Sequence, residues 1–174
     1  MSASVLILML TVTLLLPQAN HPWRITPEPG SAESRVAQEG AEAEKAWRAF
    51  FPAFRKALRH RDRAVLKKMM VPDFHFSGGG GDDNHDGDSR DEAFQFWDEY
   101  GGWVPFEKVL AEGTVQQAKW WTKGRKDATR LARVAPPAAN RRINVRRGNV
   151  RWYAIFESRK DGRWYCTAFN QCCD

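Results

Sequence analysis

Apolar residues recur at helical spacing in the first part of the chain that looks globular. Six of them, three or four residues apart, form one stripe: Ala43, Trp47, Phe50, Phe51, Phe54 and Leu58. Pro52 interrupts the stripe. Because proline removes a backbone donor and clashes with the preceding turn, we expect a kink or a restart at Pro52 rather than one straight helix.

Two further helices are predicted from their start signals. Asp62 is suited to cap a short second helix, which Val71-Pro72 would end. Ser89 and Glu92 have the spacing of a capping box, which predicts a third helix that continues to Tyr100. Between these helices, Asp73-Phe74-His75-Phe76 alternates polar and aromatic residues and predicts a strand.

The second half of the chain is typical of strands. We expect one from Trp103 to Gln117, a second around Thr129 to Val134 and a third near Arg142 to Arg147. Two alternating aromatic segments then follow, Val150 to Glu157 and Arg163 to Phe169, and Asp161-Gly162 lies between them. This pattern predicts a β-hairpin. On its arms, one face should carry Trp152, Ala154 and Phe156, and one face Trp164, Cys166 and Ala168.

Helices gathered before a series of strands predict an α+β fold. We expect the N-terminal helices to pack on one face of a curved, mostly antiparallel sheet. From residue 46 to 174, this order resembles the nuclear transport factor 2-like superfamily. The resemblance rests on the element order, on the passage from Asp62 and Leu66 to Pro72-Asp73-Phe74, and on the closing hairpin around Trp152 and Trp164. It implies a cone-shaped fold that is shared by enzymes and by non-catalytic binding modules.

The start of the chain is typical of an exported protein. An apolar run of twelve residues extends from Val5 to Leu16, which is the length of a signal-peptide core and shorter than the ~20 residues that span a bilayer. We therefore expect a signal peptide over residues 1–20, a proline-rich linker over 21–40 and one domain over 41–174, acting as a secreted or periplasmic protein. An uncleaved leader is the alternative, because no Lys or Arg precedes the run.

Charge is distributed unevenly along the chain, whose formal net charge is +6. Residues 119–151 hold eleven basic residues and one acid, whereas residues 82–99 hold eight acids and one base. A solvated basic strand face offset by an acidic loop explains this pattern, and a binding site for a polyanion is the alternative. Nucleic acid is not expected as the partner of an exported protein.

The acidic loop resembles the first half of a calcium-binding loop. Oxygen-bearing side chains occur at alternate positions, Asp82, Asn84, Asp86 and Asp88, with Gly87 for a sharp turn. The twelfth position is Ala93 where a bidentate Glu would be needed. We therefore weigh a calcium site against a loop that is merely solvated. We expect no cofactor, with calcium at this loop as the alternative.

Four residues are candidates for acid/base chemistry or for lining a pocket. Asp73 and His75 share one face of their predicted strand, and could act together in proton transfer. The alternative is that this face of the strand is exposed to solvent, because Phe74 and Phe76 point to the core. Tyr153 and Tyr165 are the polar groups best placed to line a pocket, or else they are core tyrosines.

The three cysteines lie close together near the end of the sequence, at positions 166, 172 and 173. Along a straight strand, Cys166 and Cys172 would be ~20 Å apart, too far for a disulfide. A bridge would require the chain to fold back near Asn170. A metal site made of the three thiols is the alternative.

These observations favour an exported, non-catalytic module that binds a small apolar ligand or a protein partner in the cone. The alternative is a metal-independent isomerase, dehydratase or cyclase that works by acid/base catalysis in that pocket. A homodimer formed through the sheet is a further option. Contact with a membrane is expected only through an uncleaved leader.

Overall fold

The computed structural model describes residues 32–77, 88–117, 131–140, 144–145 and 148–172. In these ranges the chain forms α-helices at α1 (Ala32–Arg59), α2 (Arg63–Met69), α3 (Arg90–Tyr100) and α4 (Trp103–Ala111). It forms strands at β1 (Met70–Ser77), β2 (Val115–Gln116), β3 (Ala132–Ala135), β4 (Trp152–Ser158) and β5 (Trp164–Gln171). A short 3-10 helix at Pro137–Asn140 follows β3.

The strands form one five-stranded mixed sheet in the order β1-β5-β4-β3-β2. β1 runs parallel to β5, and the other neighbouring pairs are antiparallel. Helix α4 packs on β4, α3 packs on β1, and α1 contacts both α4 and β5. The predicted α+β class with a mostly antiparallel sheet is therefore confirmed.

An aromatic core fills the space between the helices and the sheet. Phe156 of β4 has 0% of its surface exposed, and its ring contacts Trp47, Phe50, Phe51 and Phe54 of α1. A second, smaller cluster forms around Val134, Val145, Val150 and Cys172. Apolar burial on this scale is the main source of stability for a domain of this size.

Helix α1 is continuous through Pro52, so the predicted restart is wrong. Pro52 is exposed, and so is Arg48, whose carbonyl loses its helical donor. Water can satisfy that carbonyl, which makes the proline tolerable. The helix also begins at Ala32, inside the stretch that the sequence predicted to be linker.

The two short helices begin in different ways. Asp62 caps α2 as predicted, and its carboxylate accepts a hydrogen bond from the Val65 backbone amide at 3.1 Å. The predicted capping box of α3 is wrong. The Ser89 hydroxyl instead donates to the Phe74 carbonyl at 2.6 Å, and the Arg90 amide is bonded to the Asp88 carboxylate at 3.2 Å. Ser89 thus ties α3 to β1.

The strand predicted from Trp103 to Gln117 is mostly a helix, α4. Its buried residues, Trp103, Phe106, Val109 and Leu110, are three or four apart, and this spacing places them on one helical face. Pro105 lies in the first turn, where no backbone donor is required. The strand β2 is confined to Val115–Gln116.

The strands predicted around Thr129 to Val134 and near Arg142 to Arg147 have different outcomes. The strand expected around Thr129 to Val134 corresponds to β3 at Ala132–Ala135. Asn144 and Val145, from the strand expected near Arg142 to Arg147, are helical. The rest of that segment lies outside the described residues.

The closing hairpin of β4 and β5 is confirmed, with Gly162 at φ 74° in its turn. One detail differs. Ile155 pairs with Ala168 while the next residue, Phe156, pairs with Cys166, so Thr167 is an extra residue in β5. The extra residue reverses the alternation. Phe169, rather than the predicted Ala168, therefore joins the main core.

Candidate functional site

An open groove of about 500 Å³ lies at the edge of the sheet where β1 begins. The first residue of β1, Met70, pairs with Cys166 of the parallel strand β5. The first residues of β5 and the hairpin turn therefore extend beyond the start of β1. The end of α2 and the first residues of β1 form the opposite wall. The lining residues are Lys67, Lys68, Met70, Val71, Pro72, Arg90, Arg159, Lys160, Asp161 and Tyr165.

The lining of the groove is strongly basic. Among the described residues that line it, five side chains are cationic and Asp161 is the only carboxylate. The cations come from three parts of the fold: Lys67 and Lys68 from α2, Arg90 from α3, and Arg159 and Lys160 from the hairpin turn. The fold therefore gathers positive charge that is dispersed in the sequence.

Two of the five cations are already engaged within the protein. Lys67 forms an ion pair with Asp91. Arg90 donates from Nε to Asp88 at 2.7 Å and from Nη1 to the Lys67 carbonyl at 2.6 Å, and its Nη2 also bonds to Asp88. The hydrogen bond from Arg90 lowers the pKa of Asp88 to about 2. Arg90 thus joins α3 to the end of α2.

Arg159 retains donors for a ligand. Its guanidinium carbon lies 5.5 Å from the centre of the Tyr165 ring, which is a cation–π contact. The nearest carboxylate, that of Asp73, is 3.9 Å away, beyond hydrogen-bonding distance. Arg159 Nε is buried and makes no hydrogen bond in the described part of the protein. The side chain as a whole is 37% exposed.

The backbone and Tyr165 hold this side of the groove in place. The Arg159 amide donates to the Arg163 carbonyl at 2.8 Å, and the Gly162 amide donates to the Arg159 carbonyl at 2.9 Å. The Tyr165 hydroxyl donates to Asp161 Oδ2 at 2.8 Å. That hydrogen bond to a negative acceptor raises the pKa of Tyr165, so its hydroxyl stays protonated and keeps the bond.

The structure brings together only some of the residues that the sequence proposed for acid/base chemistry. Asp73 and Tyr165 both approach Arg159, but the Asp73 side chain is 77% exposed. His75 is exposed and does not line the groove. Tyr153 packs against the smaller cluster, and its hydroxyl accepts from Asn170 Nδ2 at 3.4 Å. The four residues do not form one site.

Most of the proposed calcium loop, including Asp82, Asn84 and Asp86, lies outside the described residues. Asp88 is described, and Arg90 engages both of its carboxylate oxygens. Over the described ranges, no three His, Cys, Asp or Glu side chains are grouped to hold a metal ion.

The two described cysteines are buried. Cys166 is a free thiol, the Cys172 Sγ lies 3.2 Å from the Val145 carbonyl, and Cys173 lies outside the described residues. Burial raises the pKa of the Cys166 thiol well above its usual value, so this thiol stays protonated and poorly nucleophilic.

The groove was not predicted from the sequence, because the dense basic segment at residues 119–151 was the expected basic surface. The groove is instead built from two short pairs, Lys67-Lys68 and Arg159-Lys160, that are far apart in the chain. The available signal was the position of each pair: one at the end of a helix, the other in a hairpin turn.

Comparisons of the chain with protein-family models, with curated proteins and with solved structures found no match. Within the described ranges, no helix combines the length and the apolar character needed to cross a membrane.

Proposed function

We propose that this protein is an exported, non-catalytic binding module that holds an anionic ligand in the basic groove. The observation that carries the proposal is the lining of the groove, in which five cations accompany one carboxylate. Asp91 and Asp88 offset Lys67 and Arg90, whereas Lys68, Arg159 and Lys160 share only Asp161 and the more distant Asp73. Like charges in one site repel each other, and a bound anion would offset the positive charge that remains.

Three of the cations are suited to make the contact. Lys68 and Lys160 form no ion pair with any described residue, and Arg159 has only the distant carboxylate of Asp73. The groove also has an apolar part, which Pro72 presents at the surface, because Met70 and Val71 beside it are almost fully buried. A ligand that combines an anionic group with an apolar body would use both parts of the lining.

This site differs from the interior of the cone that the sequence favoured. Between the helices and the sheet, aromatic rings are in direct contact, as for Phe106 and Phe169, whose centres are 4.0 Å apart. The groove at the sheet edge is therefore the better candidate for a ligand. Binding is preferred to catalysis because the side chains of Asp73 and His75 are exposed, and neither is enclosed with a substrate away from water.

The nuclear transport factor 2-like assignment and the export of the protein are part of the same proposal. Helices that precede a mixed sheet, and a closing hairpin that lies beside the first strand, support the assignment. The apolar run at residues 5–16 supports export. Mass spectrometry of the protein recovered from outside the cytoplasm would test for removal of the leader.

Thermal unfolding in the presence of simple anions tests the binding function. We expect millimolar phosphate, sulfate or citrate to raise the Tm by mass action, and sodium chloride of equal ionic strength to have less effect. Replacing the three available cations together (Lys68→Ala, Arg159→Ala, Lys160→Ala) should abolish the rise.

The matched control removes three exposed lysines that lie outside the groove: Lys45, Lys56 and Lys108, each replaced by Ala. Both triple variants lose the same formal charge, so only a local effect separates them. An equal loss of the anion response in the control variant would contradict the proposal. So would a wild-type protein whose Tm responds to sodium chloride alone.

A further inference from the structure

The hydrogen-bond donors that remain in the groove indicate which anionic group it recognises. The Arg159 guanidinium is a planar fork with several donors. Its Nε is buried, so a ligand would meet the terminal nitrogens of this side chain, which is 37% exposed. Lys68 and Lys160 each carry an ammonium group with three donors. The carboxylates of Asp88 and Asp91 are directed to Arg90 and Lys67 instead.

Charge and geometry then separate the anion classes. A carboxylate brings two oxygens, one fewer than the three cationic side chains that would share it. A sulfate ester has three terminal oxygens but still only one charge. A phosphate group carries close to two negative charges at neutral pH and three acceptor oxygens, and arginine binds such oxygens in pairs.

Tyr165 contributes to this arrangement by holding the arginine. Its ring lies beneath the guanidinium at 5.5 Å, and its hydroxyl is fixed by the bond to Asp161. The hydrogen bonds of the hairpin turn fix the backbone of Arg159. A positioned fork loses less conformational freedom when it binds than a mobile side chain would.

We infer that the groove recognises a phosphate dianion through Arg159, Lys68 and Lys160, an inference that rests on the proposed anion-binding function. The phosphate is either free or esterified to a small organic body. In the second case, the exposed ring of Pro72 would contact that body. The groove is open enough to admit either source.

Calorimetric titration of the full chain with four probes tests this inference. The probes are phenyl phosphate, inorganic phosphate, phenyl sulfate and succinate, at pH 8 and constant ionic strength. Phenyl sulfate has the shape of phenyl phosphate with one charge less, and succinate carries two charges on separate carboxylates. We expect phenyl phosphate to bind at least about tenfold more tightly than phenyl sulfate or succinate.

Variants locate the binding in the groove. Arg159→Ala should weaken the binding of phenyl phosphate at least about tenfold. Arg159→Lys should weaken it less, because the charge remains while the planar guanidinium is lost. Lys108→Ala, on α4, should leave the affinity unchanged. Tighter binding of phenyl phosphate than of inorganic phosphate would identify an ester as the ligand, and equal binding would identify free phosphate.

The outcomes separate this inference from the function beneath it. If phenyl sulfate or succinate binds as tightly as phenyl phosphate and Arg159→Ala weakens all of them, the phosphate preference is overturned while anion binding stands. If Arg159→Ala changes nothing, the inference is overturned, and the triple variant decides the proposed function. If no probe binds, both are overturned.

Discussion

Strand β5 carries two contrasting environments a few residues apart. Phe169 is fully buried, stacked between Phe106 at 4.0 Å and Trp152 at 5.0 Å. Tyr165, on the same strand, lines an open basic groove and lies beneath Arg159. The strand therefore supports the fold with one set of side chains and presents a charged surface with another. Substitutions should be able to separate stability from binding.

The largest effect is expected in the core. Phe169→Ala removes a fully buried ring, and such truncations cost about 3–5 kcal/mol through lost burial and the cavity that remains. Chemical denaturation would measure the loss. Tyr165→Phe, on the same strand, removes only the hydroxyl bond to Asp161 and should cost about 1 kcal/mol or less. Equal losses in the free energy of unfolding for the two variants would contradict the difference between the core and the groove.

A smaller effect separates the two kinds of cation in the groove. Arg90→Ala removes hydrogen bonds to Asp88 and to the Lys67 carbonyl, and we expect a loss of about 2 kcal/mol, as for bonds that involve charged groups. Lys68→Ala, which removes no ion pair with a described residue, should change the free energy of unfolding by no more than about 0.5 kcal/mol. Urea unfolding of both variants provides the measurement. A larger loss for Lys68→Ala than for Arg90→Ala would mean that Lys68, not Arg90, joins α2 to α3.

The smallest expected effect is on the stability of the protein at low pH. Since Arg90 lowers the pKa of Asp88 from 3.8 to about 2, the pair stabilises the folded state above pH 4 and loses this contribution as the pH falls toward 2. The carboxylate is 44% exposed, so the contribution should stay below about 1 kcal/mol.

Comparing the wild-type protein with Asp88→Asn isolates this contribution from that of other carboxylates. The difference in free energy of unfolding should be largest near neutral pH and should shrink below pH 4. A difference that is constant over this range would show that the charge of Asp88 has no part in it.

Local patterns in the sequence were sufficient for some elements and misleading for others. The β4–β5 hairpin could be predicted, because its alternation and its Asp161-Gly162 turn are both local signals. Residues 103–117 were predicted as one strand, but residues 103–111 form a helix. The helical spacing of Trp103, Phe106 and Leu110 was the stronger signal.

The candidate site could not be predicted for a different reason. It depends on the parallel pairing of β1 with β5, which joins distant parts of the chain and leaves no local pattern. Only that pairing brings Lys68 beside Arg159. The extra residue Thr167 is similarly invisible in the alternation of β5, since it becomes apparent only against the partner strand β4.

The position of β5 within the sheet also governs how the chain can fold. β5 lies between β1 and β4, yet it follows every other described strand in the sequence. During synthesis, β1 and the aromatic faces of α1, α3 and α4 emerge before the strand that covers them. Such non-local pairing slows folding and leaves apolar surface exposed in the meantime. During synthesis on the ribosome, we therefore expect the chain to expose aggregation-prone apolar surface until residues 164–171 are available to complete the sheet.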